Sequence, residues 1–335
     1  MLGFIFLLLT LRQIYIIIRN GLTARQLKEH TSGDGCLVLI RVRKTDYVDE
    51  SYLSKMQEIQ APHEVRIIVP LDHPQILEIN SKGIQTKEYN SSVESATDMI
   101  NKLIEKSQLS SILVCDANIE FEAKSLYGIE KLLNESKGPY VLVPQVRSRN
   151  LLIECLYNLN PNLALLSLIN FKKLIRSTKK TFLEVSELGI FFRKKDFSEF
   201  QVDPEWKKAV IQTFHQRSIV VKLCFGEKLF SIRLLPDFKS LWNRMGKTWF
   251  IASKNSDYTT TALLVQSIVW AFPLLFIKIY PFYVLLVIFF LIVYRIFTVI
   301  IFQENILSIA LHPFSSLLWL ASFLWDKFRW ATKGP

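Results

Sequence analysis

Apolar residues follow two patterns along this chain, and the contrast divides it. Near both ends they form long blocks with almost no charge; between them they form short runs closed by polar residues. Residues 1–18 are apolar except for Thr10, Arg12 and Gln13. Residues 260–302 carry only Lys278 and Arg295 as charges, and Lys278-Ile279-Tyr280-Pro281 divides them near the middle. A helix that crosses a bilayer needs about 20 apolar residues, so this block predicts two helices joined by a tight turn. A third stretch, 306–325, is interrupted by His312-Pro313. The proline removes a backbone donor and predicts a kink, compatible with a span, a re-entrant segment or a helix lying at the interface. Trp319, Trp325 and Trp330 suit interfacial depth, where tryptophan is enriched.

The middle of the chain alternates. Residues 36–42, 64–69, 84–88, 111–115 and 140–144 read as strands, and 50–60, the stretch ending at 80, and 91–106 read as helices. Ser91-Ser92-Val93-Glu94 predicts a capping box at the start of the last of these. Strands alternating with helices predict an α/β fold with a mostly parallel, doubly wound sheet. The expected organisation is an N-terminal anchor over residues 1–20, an α/β domain over 21–258, and a C-terminal membrane domain over 259–335.

Charge changes this picture in two ways. No basic residue precedes the first apolar core and Arg19-Asn20-Gly21 closes it, which predicts an uncleaved anchor rather than a signal peptide. Arg19, Arg25 and Lys28 follow that helix, and Lys247 and Lys254 precede the next block, so the positive-inside rule predicts a cytoplasmic α/β domain. The formal charge of +11 then fits attraction to anionic lipid. No stripe of basic residues interleaved with aromatics points to nucleic acid. Cys36, Cys115, Cys155 and Cys224 have no metal or redox spacing and are expected as reduced core thiols. A transporter built on the C-terminal helices would have only Lys278, Arg295 and His312 as polar candidates.

The candidate chemistry lies at the ends of the short strands. The run 111–115 stops at Asp116-Ala117-Asn118. In open α/β sheets ligands bind outside the carboxyl ends of the strands. An acid there, with an amide oxygen two residues on, can present two hard oxygen ligands to Mg²⁺ or Mn²⁺; alternatively Asp116 caps the following turn. Arg43-Lys44 and Asp72 end the first and second strands, which places them at the same rim as Asp116. There is no Gly-x-Gly-x-x-Gly after the first strand and no Gly-Lys-Ser/Thr phosphate loop.

With these features the chain resembles membrane-bound family-two glycosyltransferases of GT-A fold, in the branch acting on ceramide, hopanoid and carotenoid-acid acceptors. Asp116-Ala117-Asn118 stands where that family has Asp-x-Asp, and Leu71-Asp72 where it has a nucleoside-binding aspartate. The glycine-containing strand of that family is similar to residues 188–197. Residues 233–249, with Trp242, Arg244, Lys247 and Trp249, resemble its amphipathic Gln-x-x-Arg-Trp region, and His312-Pro313 its Leu-x-His-Pro. The resemblance implies an inverting transfer of a hexose from a nucleotide sugar, UDP-linked first of all, to a lipid acceptor. It implies a divalent cation, Mg²⁺ or Mn²⁺, on Asp116 and Asn118, and donor contacts from Arg43, Asp72, Asp116, Arg244 and Lys247. Two positions depart from the family. The metal motif ends in Asn118, and Val202-Asp203-Pro204-Glu205-Trp206 replaces an acidic catalytic pair, leaving Asp203 or Glu205 as the base. Asp203 also suits a helix N-cap before Pro204, and Arg244 and Lys247 also suit anchoring at a membrane surface. The altered motifs leave open a catalytically degenerate relative that binds a nucleotide sugar or supports a membrane complex.

Overall fold

The short apolar runs become the strands of one sheet in the computed structural model. It describes residues 2–44, 46–59, 61–117, 119–136, 138–157, 188–197, 199–200, 206–226, 229–234, 237–255, 264, 267–268, 278, 281–302 and 304–333. Their contacts divide the chain into two units. One comprises Ala24–Gln145 and Glu187–Arg233; the other comprises Met1–Thr23, Val146–Ser186 and Leu234–Pro335.

The first unit is α/β. Its elements begin with β1 (Arg25–Gln26), β2 (Cys36–Arg41), α2 (Glu50–Gln57), β3 (Glu64–Pro70), α3 (Ile76–Ser81), β4 (Gln85–Tyr89), α4 (Ala96–Lys106), β5 (Ser111–Asp116) and β6 (Ile119–Phe121). It continues with α5 (Ala123–Glu135), β7 (Tyr140–Val143), β9 (Gly189–Arg193), a 3₁₀ turn at Lys194–Asp196, α7 (Trp206–Gln216), β10 (Lys222–Phe225) and β11 (Phe230–Leu234). The sheet runs β1-β10-β7-β9-β5-β2-β3-β4. Every neighbouring pair is parallel except for β9, which is antiparallel to both β5 and β7. This is the mostly parallel sheet expected from the sequence. β6 pairs separately with β11, antiparallel, with Ile119 opposite Ile232.

Burial explains the composition of the central strands. Residues 36–40 of β2 and 112–115 of β5 are completely buried, as a parallel sheet covered on both faces requires. The helices cover it with stripes at helical spacing. In α4, Ala96, Ile100, Leu103 and Ile104 are buried, and so is Asn101. The amide of Asn101 is satisfied by exchanging hydrogen bonds with the backbone of Phe200, at 2.9 and 3.1 Å. The capping box of α4 lies one turn later than the sequence reading placed it. Ser95 and Asp98 cap each other's backbone N–H groups, while the amides of Val93 and Glu94 turn back to the Asn90 carbonyl. Asn90 favours that turn, so residues 91–94 precede the helix.

In the second unit α1 (Leu2–Thr23), α9 (Pro281–Phe302) and α10 (Leu307–Lys333) carry the long apolar blocks. Among the described residues three segments are long and apolar enough to cross a membrane: Phe4–Thr23, Pro281–Ile301 and Leu307–Trp325. The unit also holds the end of β8 (Gln145–Ser148), α6 (Leu151–Leu156) and α8 (Phe238–Asn255). α1 packs on α9 at Gly21, where a Cβ would stand 2.6 Å from Ile301 Cδ1, so a larger residue there would require that side chain to shift. Helix α10 continues through Pro313. Arg295 is buried and paired with Glu304, and it donates to Ser308 Oγ at 2.7 Å. Trp319, expected at an interface, is buried, and so is Trp249, whose Nε1 donates to the Trp319 carbonyl and to Ser322 Oγ, each at 3.1 Å. Trp325 is exposed. The first half of the 260–302 block lies mostly outside the described residues.

Candidate functional site

The register of the parallel strands brings three sequence-predicted residues to one rim. Arg41 of β2 lies opposite Ile68 of β3 on one side and Asp116 of β5 on the other, and the Ala117 amide donates to the Arg41 carbonyl at 2.8 Å. Arg43, Asp72 and Asp116 therefore stand just beyond the carboxyl ends of adjacent strands, where open α/β sheets hold ligands.

Asp116 is the buried member, 6 % exposed. Its Oδ2 accepts from Arg43 Nη2 at 3.1 Å and from Lys207 Nζ, and its Oδ1 accepts from Trp206 Nε1 at 3.0 Å. Burial alone would push this carboxyl up. The charges of Arg43, Lys207 and Arg41, with the Lys207 hydrogen bond, outweigh it and hold Asp116 far below the usual carboxylate range. Asp116 is ionised at any working pH.

Helix α7 delivers two of these donors. Trp206, Ala209, Val210 and Phe214 are buried, and Phe214 meets Phe192 of β9 at 5.3 Å and Phe200 at 6.0 Å between ring centroids. That cluster fixes the helix on the sheet. Lys207 falls on the same face as Val210, Ile211 and Phe214, at i, i+3, i+4 and i+7, so its side chain is carried inward and is only 1 % exposed. An ammonium so placed needs a counter-charge, and Asp116 supplies it.

This donor set does not fit a divalent cation. A metal on Asp116 would have to displace Lys207 and Arg43 or sit beside them. Beside them it would meet the like charge of the buried ammonium as well as the attraction of the carboxylate. Among the described residues no group of three or more His, Cys, Asp or Glu side chains could hold a metal ion. The other expected ligand, Asn118, lies outside the described residues.

The remaining rim is solvent-facing. Asp72 pairs with Lys44 at 2.7 Å, with side-chain exposures of 47 % and 65 %. The Lys44 hydrogen bond chiefly, against an opposing effect of desolvation and helped by the Lys44 charge, lowers the Asp72 carboxyl. The loop after β2 is set by Asp46, whose Oδ2 accepts from the Arg43 amide at 2.9 Å and whose carbonyl lies 3.1 Å from His73 Nε2.

The expected site residues thus separate. Arg43 and Asp116 are in contact, and Asp72 shares their rim. Arg244, on α8 of the other unit, donates from Nε to Tyr157 Oη at 3.2 Å with its guanidinium 5.4 Å from that ring. Lys247 is on the same helix, with its side chain outside what is described. Asp203 and Glu205 lie outside the described residues. Lys207 and Trp206 were missed by the sequence reading. The signal was available: a lysine occupies an otherwise apolar helical stripe, directly after the eroded acidic motif.

No protein-family model matches the chain, and no curated protein matches it. Among solved structures it is similar to residues 1–349 of TarS from S. aureus in complex with UDP, at 12 % identity over 89 % of this chain and 91 % of that one, with a TM-score of 0.36. It is also similar to the mannosyltransferase PcManGT from Pyrobaculum calidifontis in complex with GDP-Man and Mn²⁺, at 10 % identity over 98 % of this chain and 100 % of that one, with a TM-score of 0.44. A third likeness is to CMP:2-keto-3-deoxy-manno-octonic acid synthetase complexed with CTP, at 11 % identity over 60 % of this chain and 91 % of that one, with a TM-score of 0.34. These neighbours act on or bind nucleotides; likeness at this level fixes neither activity nor substrate for this chain.

Proposed function

We propose that this chain is a membrane-bound glycosyltransferase that moves a hexose from a nucleotide sugar to a lipid acceptor, with inversion, on the cytoplasmic face. The observation that carries the reading is the ionised, buried Asp116 at the carboxyl end of a central parallel strand, held between Arg43 and Lys207. Such a rim is built for an anionic ligand. Three apolar helices among the described residues favour an acceptor that stays in the bilayer while its hydroxyl reaches the site.

Inverting transfer is one displacement. The acceptor oxygen forms a bond to the anomeric carbon, the bond to the diphosphate oxygen breaks, and the acceptor proton passes to a base. Arg43 would hold the departing diphosphate. Asp72 would contact the nucleoside, and Arg244 and Lys247 the diphosphate, as the resemblance implies. Asp203 is the preferred base and Glu205 the second choice. A divalent ion at Asp116 would require Lys207 and Arg43 to leave that carboxylate.

One observation favours a second reading. Lys207 occupies Asp116 directly after the altered acidic motif, as in a degenerate relative that binds a nucleotide sugar without turning it over. The test is release of nucleoside diphosphate by the purified full chain in detergent, with UDP-linked and GDP-linked hexoses and a total lipid extract. Release together with a new glycolipid supports transfer, and Asp203→Asn should then cut it by about 10² or more. Binding without release over the whole panel supports the second reading.

A further inference from the structure

We infer that Lys207 stands in for a divalent ion at Asp116, so that the nucleoside diphosphate of the donor is received by Arg43 without a metal. This rests on the nucleotide-sugar reading above and deepens it.

Three observations converge. First, both Asp116 oxygens are already hydrogen-bonded: one takes the Trp206 indole N–H, and the other takes both Arg43 and Lys207. An ammonium on that oxygen occupies the place that an ion ligated there would need. Second, the two cations are buried to different depths. Lys207 is 1 % exposed at its side chain and Arg43 is 21 % exposed. Lys207 therefore acts inward as the counter-charge of Asp116, while the Arg43 guanidinium is braced by Asp116 and faces the rim. Third, Arg41 adds its charge beside the same carboxylate. Arg41, Arg43 and Lys207 thus gather around one carboxylate at the sheet edge where a ligand is expected.

A planar guanidinium suits bidentate contact with phosphate oxygens. Asp116 is a positioning residue in this account. Removing its charge should release cations toward the ligand, whereas an account in which Asp116 ligates a metal requires the opposite outcome.

The experiment is titration of UDP and of GDP into the intact chain in detergent, with excess EDTA and then with Mn²⁺. At least one of the two should bind with EDTA present, and Mn²⁺ should change its affinity by no more than about threefold. Arg43→Ala should weaken that binding by about tenfold or more, and Arg43→Lys should recover only part of it. Asp116→Asn should keep or increase the EDTA-resistant affinity. Binding that appears only with Mn²⁺, or that vanishes in a folded Asp116→Asn, overturns the inference and leaves the nucleotide reading standing. If neither nucleotide binds under either condition, the nucleotide reading itself falls and the inference with it. Should Asp116→Asn fail to fold, the EDTA and Mn²⁺ titrations of the parent decide.

Discussion

Two acid–base groups stand at the same rim of one sheet, alike in residue type and unlike in physics. Asp116 with Lys207 and Arg43 is buried, ends a central strand and is hydrogen-bonded on both oxygens. Asp72 with Lys44 is a single contact between half-exposed side chains. In the sequence both are an aspartate closing an apolar run. What separates them is the covering element: α7 lies over the end of β5 and carries a lysine and an indole with it. A buried charge cannot lose its partner cheaply, whereas an exposed pair is screened by water and salt. Asp116 therefore fixes local structure, and Asp72 is available to a ligand at little structural cost.

The comparison fails if the two groups respond alike to substitution. Asp116→Ala should destabilise the chain most, by about 3–5 kcal/mol, because it leaves Lys207 without its carboxylate in the interior. Urea unfolding of the full chain in detergent checks this. Trp206→Phe keeps most of the ring and removes one charge-assisted N–H bond, so the same measurement should show a loss of about 1.5 kcal/mol. Asp72→Asn should leave the unfolding midpoint unchanged, and any small effect should disappear at high salt.

The pH dependence sharpens the contrast. A carboxyl lowered on folding contributes stability above its unfolded value, near pH 4, and gives it up as the pH falls through the folded value. The folded value of Asp116 lies far below the usual range, so the gap in unfolding midpoint between the parent and Asp116→Asn should be constant above about pH 4. It should narrow as the pH falls further, the parent losing the advantage. The corresponding gap for Asp72→Asn should be close to zero throughout.

Much of this architecture was legible from the sequence because burial on both faces leaves a simple signature. The runs 36–40 and 111–115 are apolar without alternation, 64–69 becomes so after Arg66, and each became a strand of the central sheet within a residue or two. The rim positions of Arg43, Asp72 and Asp116 followed from where those runs stop. What the pattern left out was long-range. That Trp206 and Lys207, some ninety residues after Asp116, close over it depends on how α7 docks through Phe192, Phe200 and Phe214. No local motif encodes that docking. The burial of Trp319 was missed for a similar reason: enrichment of tryptophan at interfaces is a statistical tendency, and here the Trp319 ring packs 6.0 Å from that of Trp249, whose indole N–H donates to the Trp319 carbonyl.

The most direct test of the central claim is a transfer assay with the full chain in detergent, in EDTA, using radiolabelled UDP-linked and GDP-linked hexoses and a total lipid extract. The account predicts that label moves into an organic-soluble product while nucleoside diphosphate is released in equal amount, and that Arg43→Ala, folded as judged by an unchanged melting profile, loses both. No labelled lipid from any donor, with EDTA or with added Mn²⁺, would contradict it.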